Sequence, residues 1–170
     1  MAGLMAHAGG LTAICNPLVN SYKRLIAGYE APVYVAWACK NRSPLIRVPA
    51  ARGMGTRVEL RSPDPSANPY LAIACCLAAG LDGMERALEA PDSADDNLFA
   101  LSPVELVAQD IRTLPASLEQ ALDALECDEV LCSVLGDHVL ERFTEMKRAE
   151  WDAYRSDVSN WEVENYLQKY

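Results

Sequence analysis

Positive charge is scarce in this sequence. There are 15 lysines and arginines against 24 aspartates and glutamates, a net charge of −9 over 170 residues. Generic nucleic-acid binding works by neutralising phosphates with a basic surface, so that class is excluded. The six cysteines, at positions 15, 39, 75, 76, 127 and 132, form no CxxC pair. Neither a zinc pattern nor a disulfide framework follows, and buried reduced thiols in a cytoplasmic protein are the expectation. Long apolar runs are missing too. The longest, YLAIACCLAAGL at 70–81, is too short to span a bilayer. The opening MAGLMAHAGGLTAICNP lacks the positive segment of a secretory signal. A soluble protein without a membrane partner is therefore expected. GxGxxG, P-loop, GxSxG and HExxH motifs are all absent. ARGMGT (51–56) has two glycines but no lysine and no following helix start, so it is no phosphate cradle.

What is present reads as globular. Hydrophobic residues make up 51% and charged residues 23%, with enough length for one ordinary core. The texture changes near position 65. Up to there, short runs rich in Val, Ile, Tyr and Trp read as strands: PVYVAWA (32–38), PLIRVP (44–49) and TRVELR (56–61). Prolines bracket the middle run, which places it at a sheet edge or a site rim. From Ser66 onward the chain reads as helical. Ser66 or Asn68 can cap a helix with Pro69 at its first position, running to about Glu89 and apolar almost all round, hence a core helix. Further helices are expected at 102–108, 117–126, 128–136, 137–156 and from Asn160 to about Gln168, with a break at Gly136–Asp137. The fold class is α+β, although three or four strands without evident partners make a poor sheet.

Arginines gather early, at Arg24, Arg42, Arg47, Arg52, Arg57 and Arg61, whereas the acidic residues fall mostly after Asp82. Guanidinium groups capture carboxylate and phosphate in planar, paired contacts, so a local anion site is one reading. An ordinary surface laced with weak ion pairs is the other. RVELR sharpens the question. In a strand, Arg57, Glu59 and Arg61 would share one face and Val58 and Leu60 the other. A carboxylate between two guanidiniums should stay ionised and suit Mg²⁺ or Mn²⁺, but one carboxylate is not a metal site. Glu30, in the loop GYEAP, reads either as a lid-borne base or as a solvated loop residue. His7 and His138, in helical stretches without acidic residues at ligand spacing, read as packing or surface histidines. Tyr22, Tyr29, Tyr34 and Trp37 lie near the arginines, but strand aromatics are usually core.

Two long motifs decide more than the spacing does. NPLVNSYKRLIAGYEAPVYVAWACKNRSPLIRVP and TRVELRSPDPSANPYLA, followed in order by LFALSPVEL, SLEQALDAL, LGDHVLERF and WEVENYLQKY, closely resemble the C-terminal part of the catalytic domain of bacterial type I glutamine synthetase. The resemblance implies an ATP-dependent ligation of ammonia to L-glutamate through γ-glutamyl phosphate, with Mg²⁺ or Mn²⁺ as cofactor. By that resemblance Glu59 matches a metal-binding glutamate, and Arg24 and Arg61 match glutamate-binding arginines. Arg42 matches an arginine touching both ATP and glutamate beside the transferring phosphoryl group. Arg47 matches an ATP-phosphate ligand, Arg57 falls in the nucleotide region, and Glu30 matches the flap glutamate that helps deprotonate ammonium.

The same resemblance marks departures. Where some relatives carry an adenylylated tyrosine, DNLFALSP places Phe99, so that control should be absent. The tail WEVENYLQKY is more similar to the branch governed by glutamine feedback and transcription-factor contact. Family members are dodecamers with a β-grasp N-terminal domain and an earlier catalytic half that holds the remaining metal ligands. The expectation is thus a partial catalytic domain, with site strands and loops at 1–65 and a helical region at 66–170, inactive as an isolated chain. Two alternatives stay open: a non-catalytic homologue that docks on full-length subunits or a regulator, and a ligase joining glutamate to a polyamine.

Overall fold

In the computed structural model, residues 1–29, 31–41, 43–95, 97–167 and 169 are described. The elements run α1 (Ala2–Ala6), α2 (Ala8–Cys15), β1 (Tyr34–Ala38), β2 (Pro44–Arg47), β3 (Glu59–Leu60), α3 (Pro69–Glu85), α4 (Pro103–Ala108), β4 (Arg112–Thr113), α5 (Leu118–Glu126), α6 (Glu129–Ser156) and α7 (Asn160–Tyr166). The α+β expectation holds, and the described strands form one four-stranded sheet. Its order is β3-β2-β1-β4, with β1 and β2 parallel and both outer strands antiparallel to their neighbours.

Two strand expectations need correcting. The proline-bracketed run forms β2, which lies inside the sheet rather than at its edge. Pro44 can sit there because it opens the strand, where its missing N–H costs no ladder bond, and Pro49 falls beyond the strand's end. The missing partner is β4, two exposed residues in a segment that offered no alternating pattern. It pairs through Tyr34↔Thr113 and Val35↔Arg112.

Side chains of β1 face two cores, as strand alternation requires. Tyr34 and Ala36 pack with Leu98 and Leu106 on one side. Val35 packs on the other with Leu45, Ile46 and Leu114 against Met5 and Ala8. The largest core lies among α2, α3, α5 and α6. In α5 the buried set is Leu118, Ala121, Leu122 and Leu125, the i, i+3, i+4, i+7 stripe of an amphipathic helix. Ser117 caps it by accepting the Gln120 N–H at 3.2 Å. The break expected at 136–137 is real: Gly136 takes φ +70° within α6, a conformation that favours glycine.

Asn68 is the cap of α3, accepting N–H bonds from Tyr70 and Leu71, with Pro69 at the first helical position. The helix stops at Glu85, short of Glu89, because Ala87 turns left-handed (φ +49°) and the Leu88 N–H closes onto the Gly83 carbonyl at 2.9 Å. Its expected all-round burial is not found. Cys75, Ala79 and Gly83 are buried, but Tyr70, Ile73, Leu77, Leu81 and Met84 are exposed. Cysteines differ likewise: all six are free, Cys15 and Cys75 buried, Cys127 exposed.

The buried face of α3 is made of small residues because α1 crosses it at backbone distance. A Cβ on Gly3 would lie 1.9 Å from the Ala79 carbonyl oxygen and 2.9 Å from Gly83 Cα. Gly3→Ala is therefore expected to push the two helices apart at a cost of about 1–3 kcal/mol, the usual range for overpacking. Urea unfolding of the variant checks this, and an unchanged midpoint would refute the close crossing.

Candidate functional site: an arginine cluster around Glu59

Antiparallel pairing of β2 with β3 places Arg47 directly opposite Glu59. Arg47 Nη1 donates to Glu59 Oε2 at 3.0 Å, and Arg57 Nη2 lies 2.7 Å from Oε1. The expected pairing of one carboxylate with two guanidiniums is present, but the second partner is Arg47 from the neighbouring strand. β3 is only two residues long, so the strand alternation that would align Arg57, Glu59 and Arg61 does not extend that far. Arg61 instead donates from its backbone N–H to the Leu45 carbonyl and from Nη1 to the Pro44 carbonyl, at 3.0 and 3.2 Å. The hydrogen bond from Arg57, with the charge of Arg47 behind it, holds the Glu59 carboxyl below its ordinary range against the opposing effect of desolvation.

Arg24 joins this line one residue further on. Its guanidinium donates to the Ser62 carbonyl and, at 3.0 Å, to Asn16 Oδ1 at the end of α2. Its Nε is buried without a hydrogen-bond partner among the described residues. A short 3₁₀ turn, Val19–Lys23, carries Arg24 at its end. That turn is braced from far along the chain. Glu150 on α6 accepts the Val19 N–H at 3.1 Å and is itself held by Lys147 at 2.8 Å. Beside Arg24, Asp64 and Ser21 help line a cavity of about 280 Å³. Burial would raise the Asp64 carboxyl, but hydrogen bonds from Ser21 and Ser66 and the Arg24 charge bring it below its ordinary value.

The structure thus gathers Arg47, Arg57 and Glu59 by direct contact. It ties Arg61 and Arg24 to the same stretch, 57–62. Glu30 and Arg42 lie outside the described residues. Arg52 is turned to its own loop, donating to the Pro49 and Ala51 carbonyls. A larger cleft of about 810 Å³ opens elsewhere, between Met5, Val35, Pro91 and Arg112, and among the described residues none of the predicted ones lines it. Sequence reasoning missed Asn16, Ser62, Lys147 and Glu150. Asn16 and Ser62 lie inside the two long motifs but act through an amide oxygen and a backbone carbonyl, and Glu150 is 131 residues from the N–H it caps.

Among the described residues no three His, Cys, Asp or Glu side chains are grouped to hold a metal ion. Glu59, with guanidiniums on both oxygens, does not by itself make a Mg²⁺ site. No helix among the described residues is long and apolar enough to cross a membrane. Phe99, with no hydroxyl to modify, packs against Tyr34 with ring centroids 5.7 Å apart and the rings tilted by 52°.

A small mixed sheet with helices packed around it, and arginines gathered beside Glu59, defines an α+β domain. Its family follows from comparison. The glutamine synthetase catalytic domain matches residues 1–166. A glutamine synthetase of Methanocaldococcus jannaschii is 57% identical over 98% of this chain and 37% of its own length. One of Clostridium saccharobutylicum is 55% identical over 100% of this chain and 38% of its own length. A solved structure described as a GmaS/ADP complex superposes with a TM-score of 0.86 at 40% identity, over 98% of this chain and 38% of that one. The chain belongs to the glutamine synthetase family, within the C-terminal catalytic domain. It spans under two-fifths of the length of these relatives.

Proposed function

We propose that this chain is the portion of a glutamate–ammonia ligase that handles acidic and phosphorylated groups, in the reaction ATP + L-glutamate + ammonium → glutamine + ADP + phosphate. The observation that carries this is the match to glutamine synthetases over essentially the whole chain. The guanidinium cluster at 57–62 supports it, and so does the likeness to a structure described as an ADP complex. In this reading Arg24 and Arg61 hold the substrate glutamate, and the unpartnered Arg24 Nε is a donor in reserve for its carboxylate. Arg47 and Arg57 serve the nucleotide phosphates, Arg42 serves both substrates, and Glu30 closes the site and takes a proton from ammonium. Glu59 supplies one oxygen ligand to a Mg²⁺ or Mn²⁺ site whose other ligands come from outside these 170 residues. Phosphoryl transfer asks the protein mainly for positioning and charge neutralisation, which arginines on a braced turn and a sheet provide. A cytoplasmic dodecamer, with the isolated chain inactive, completes the proposal.

In an active enzyme carrying this sequence, Arg24→Ala is expected to raise KM for glutamate about 10–100-fold, the equivalent of roughly 1.5–3 kcal/mol for a hydrogen bond to a charged group. KM for ATP should stay within a few-fold. An unchanged glutamate KM would remove Arg24 from the site. Saturation by a polyamine in place of ammonium would reassign the amine.

A further inference from the structure

Outside the arginine cluster, His7 sits at the joint between α1 and α2, 8% exposed. Both of its ring nitrogens meet carboxylates from distant segments. Nδ1 is 2.7 Å from Asp128 Oδ2, at the cap of α6, and Nε2 is 2.9 Å from Asp82 Oδ2, on α3. A neutral imidazole has one N–H, so one of these contacts would set a ring lone pair against a carboxylate lone pair. Only the imidazolium can donate to both. Among the described residues the joint also has Arg86 of α3, 3.1 Å from the same Asp82 oxygen, Arg112 of β4, Cys127 after α5 and Glu129 of α6, and the thiols of Cys75 on α3 and Cys132 on α6 feel the Asp128 charge. Arg112 is turned away to donate to the Met5 carbonyl at 2.8 Å.

We propose that His7 is a doubly protonated clasp that locks α1 and α2 to α3 and α6, and that this lock opens as rising pH removes one of its two ring protons. The proposal is independent of the ligase reading, since it uses no residue of the arginine cluster. It rests on the geometry of three elements meeting at one buried ring. The electrostatics agree. Burial alone would lower the His7 pKa, but the hydrogen bonds and charges of Asp82 and Asp128 together raise it above 6.5. Asp82 is lowered, first by its bond from His7. A raised histidine pKa contributes stability that is whole below 6.5 and is lost as pH climbs through the folded value. The lowered Asp82 contributes stability that is lost only as pH falls below its ordinary range. The clasp is therefore closed from mildly acidic pH up to the His7 transition and open above it.

The chain has only two histidines, and His138 is exposed, which makes the test clean. The experiment is urea unfolding of the 170-residue chain at a series of pH values from 5.5 to 8, below the range where unfolded thiols ionise, for wild type, His7→Gln and His138→Gln. In wild type and His138→Gln the folding constant should fall by up to tenfold per pH unit between 6.5 and the folded His7 value. In His7→Gln that fall should be gone. Parallel slopes in wild type and His7→Gln would overturn the proposal. An NMR titration of the two imidazoles in wild type decides it even if His7→Gln does not fold. His7 should titrate above 6.5 with both ring N–H protons retained at lower pH, and a His7 midpoint at or below 6.5 would also overturn it.

Discussion

Glu59→Gln is expected to lower turnover of an active enzyme carrying this sequence by about 10²–10³-fold, the range for removing one charged group from a preorganised site, while hardly moving its melting temperature. The two halves of this result have different causes. Glu59 and its partners Arg47 and Arg57 are 29%, 35% and 53% exposed, so water screens their ion pairs and the fold draws little from them. The same carboxylate spaces the guanidiniums of Arg47 on β2 and Arg57 just before β3, and the amide keeps its shape without its charge. Steady-state kinetics and a thermal melt on the same preparation separate the effects. Full activity in Glu59→Gln would remove Glu59 from the reaction. A collapse of stability would show its role to be structural. Acid should reveal the pairing as well: because the Glu59 pKa is lowered, the pairs are whole above 4.5 and are lost only as pH falls further.

Leu122→Ala is the largest expected loss of stability, about 2–5 kcal/mol, since it deletes a fully buried side chain where neighbours can only partly collapse. Leu122 lies in the core shared by α2, α3, α5 and α6, and that core also seats Tyr22 and Leu25 on either side of Arg24. For a chain of this size the melting temperature should drop by roughly 2–4 °C per kcal/mol. Leu77→Ala on the exposed face of α3 is the control and should stay within about 0.5 kcal/mol. Equal losses in the two variants would mean that the exposed face is covered in solution and that the packing described here is incomplete.

Much of the framework was legible without coordinates, for physical reasons. Helix starts are written locally: of the two caps the sequence offers before Pro69, Ser66 and Asn68, it is Asn68 that accepts the first N–H bonds of α3. Gly136 announced the break in α6 because few other residues accept its backbone angles. Family membership was legible for a different reason, through long ordered motifs rather than periodicity, and the match over residues 1–166 bears it out.

Tertiary structure alone decided the rest. Strand alternation paired Glu59 with Arg57 and Arg61, but sheet register brought Arg47 across, and register depends on a neighbour that the strand's own residues do not encode. β4 exists only because β1 has an edge to offer Arg112 and Thr113. An all-round apolar α3 read as buried, yet which face is covered depends on where α1 crosses at Gly3 and Gly83. His7 read as an ordinary packing residue because Asp82 and Asp128 are 75 and 121 positions away. Local sequence determined the caps, the breaks and the chemistry available in this protein. Long-range packing determined which charges meet, because an ion pair is set by distance in space and not by separation along the chain.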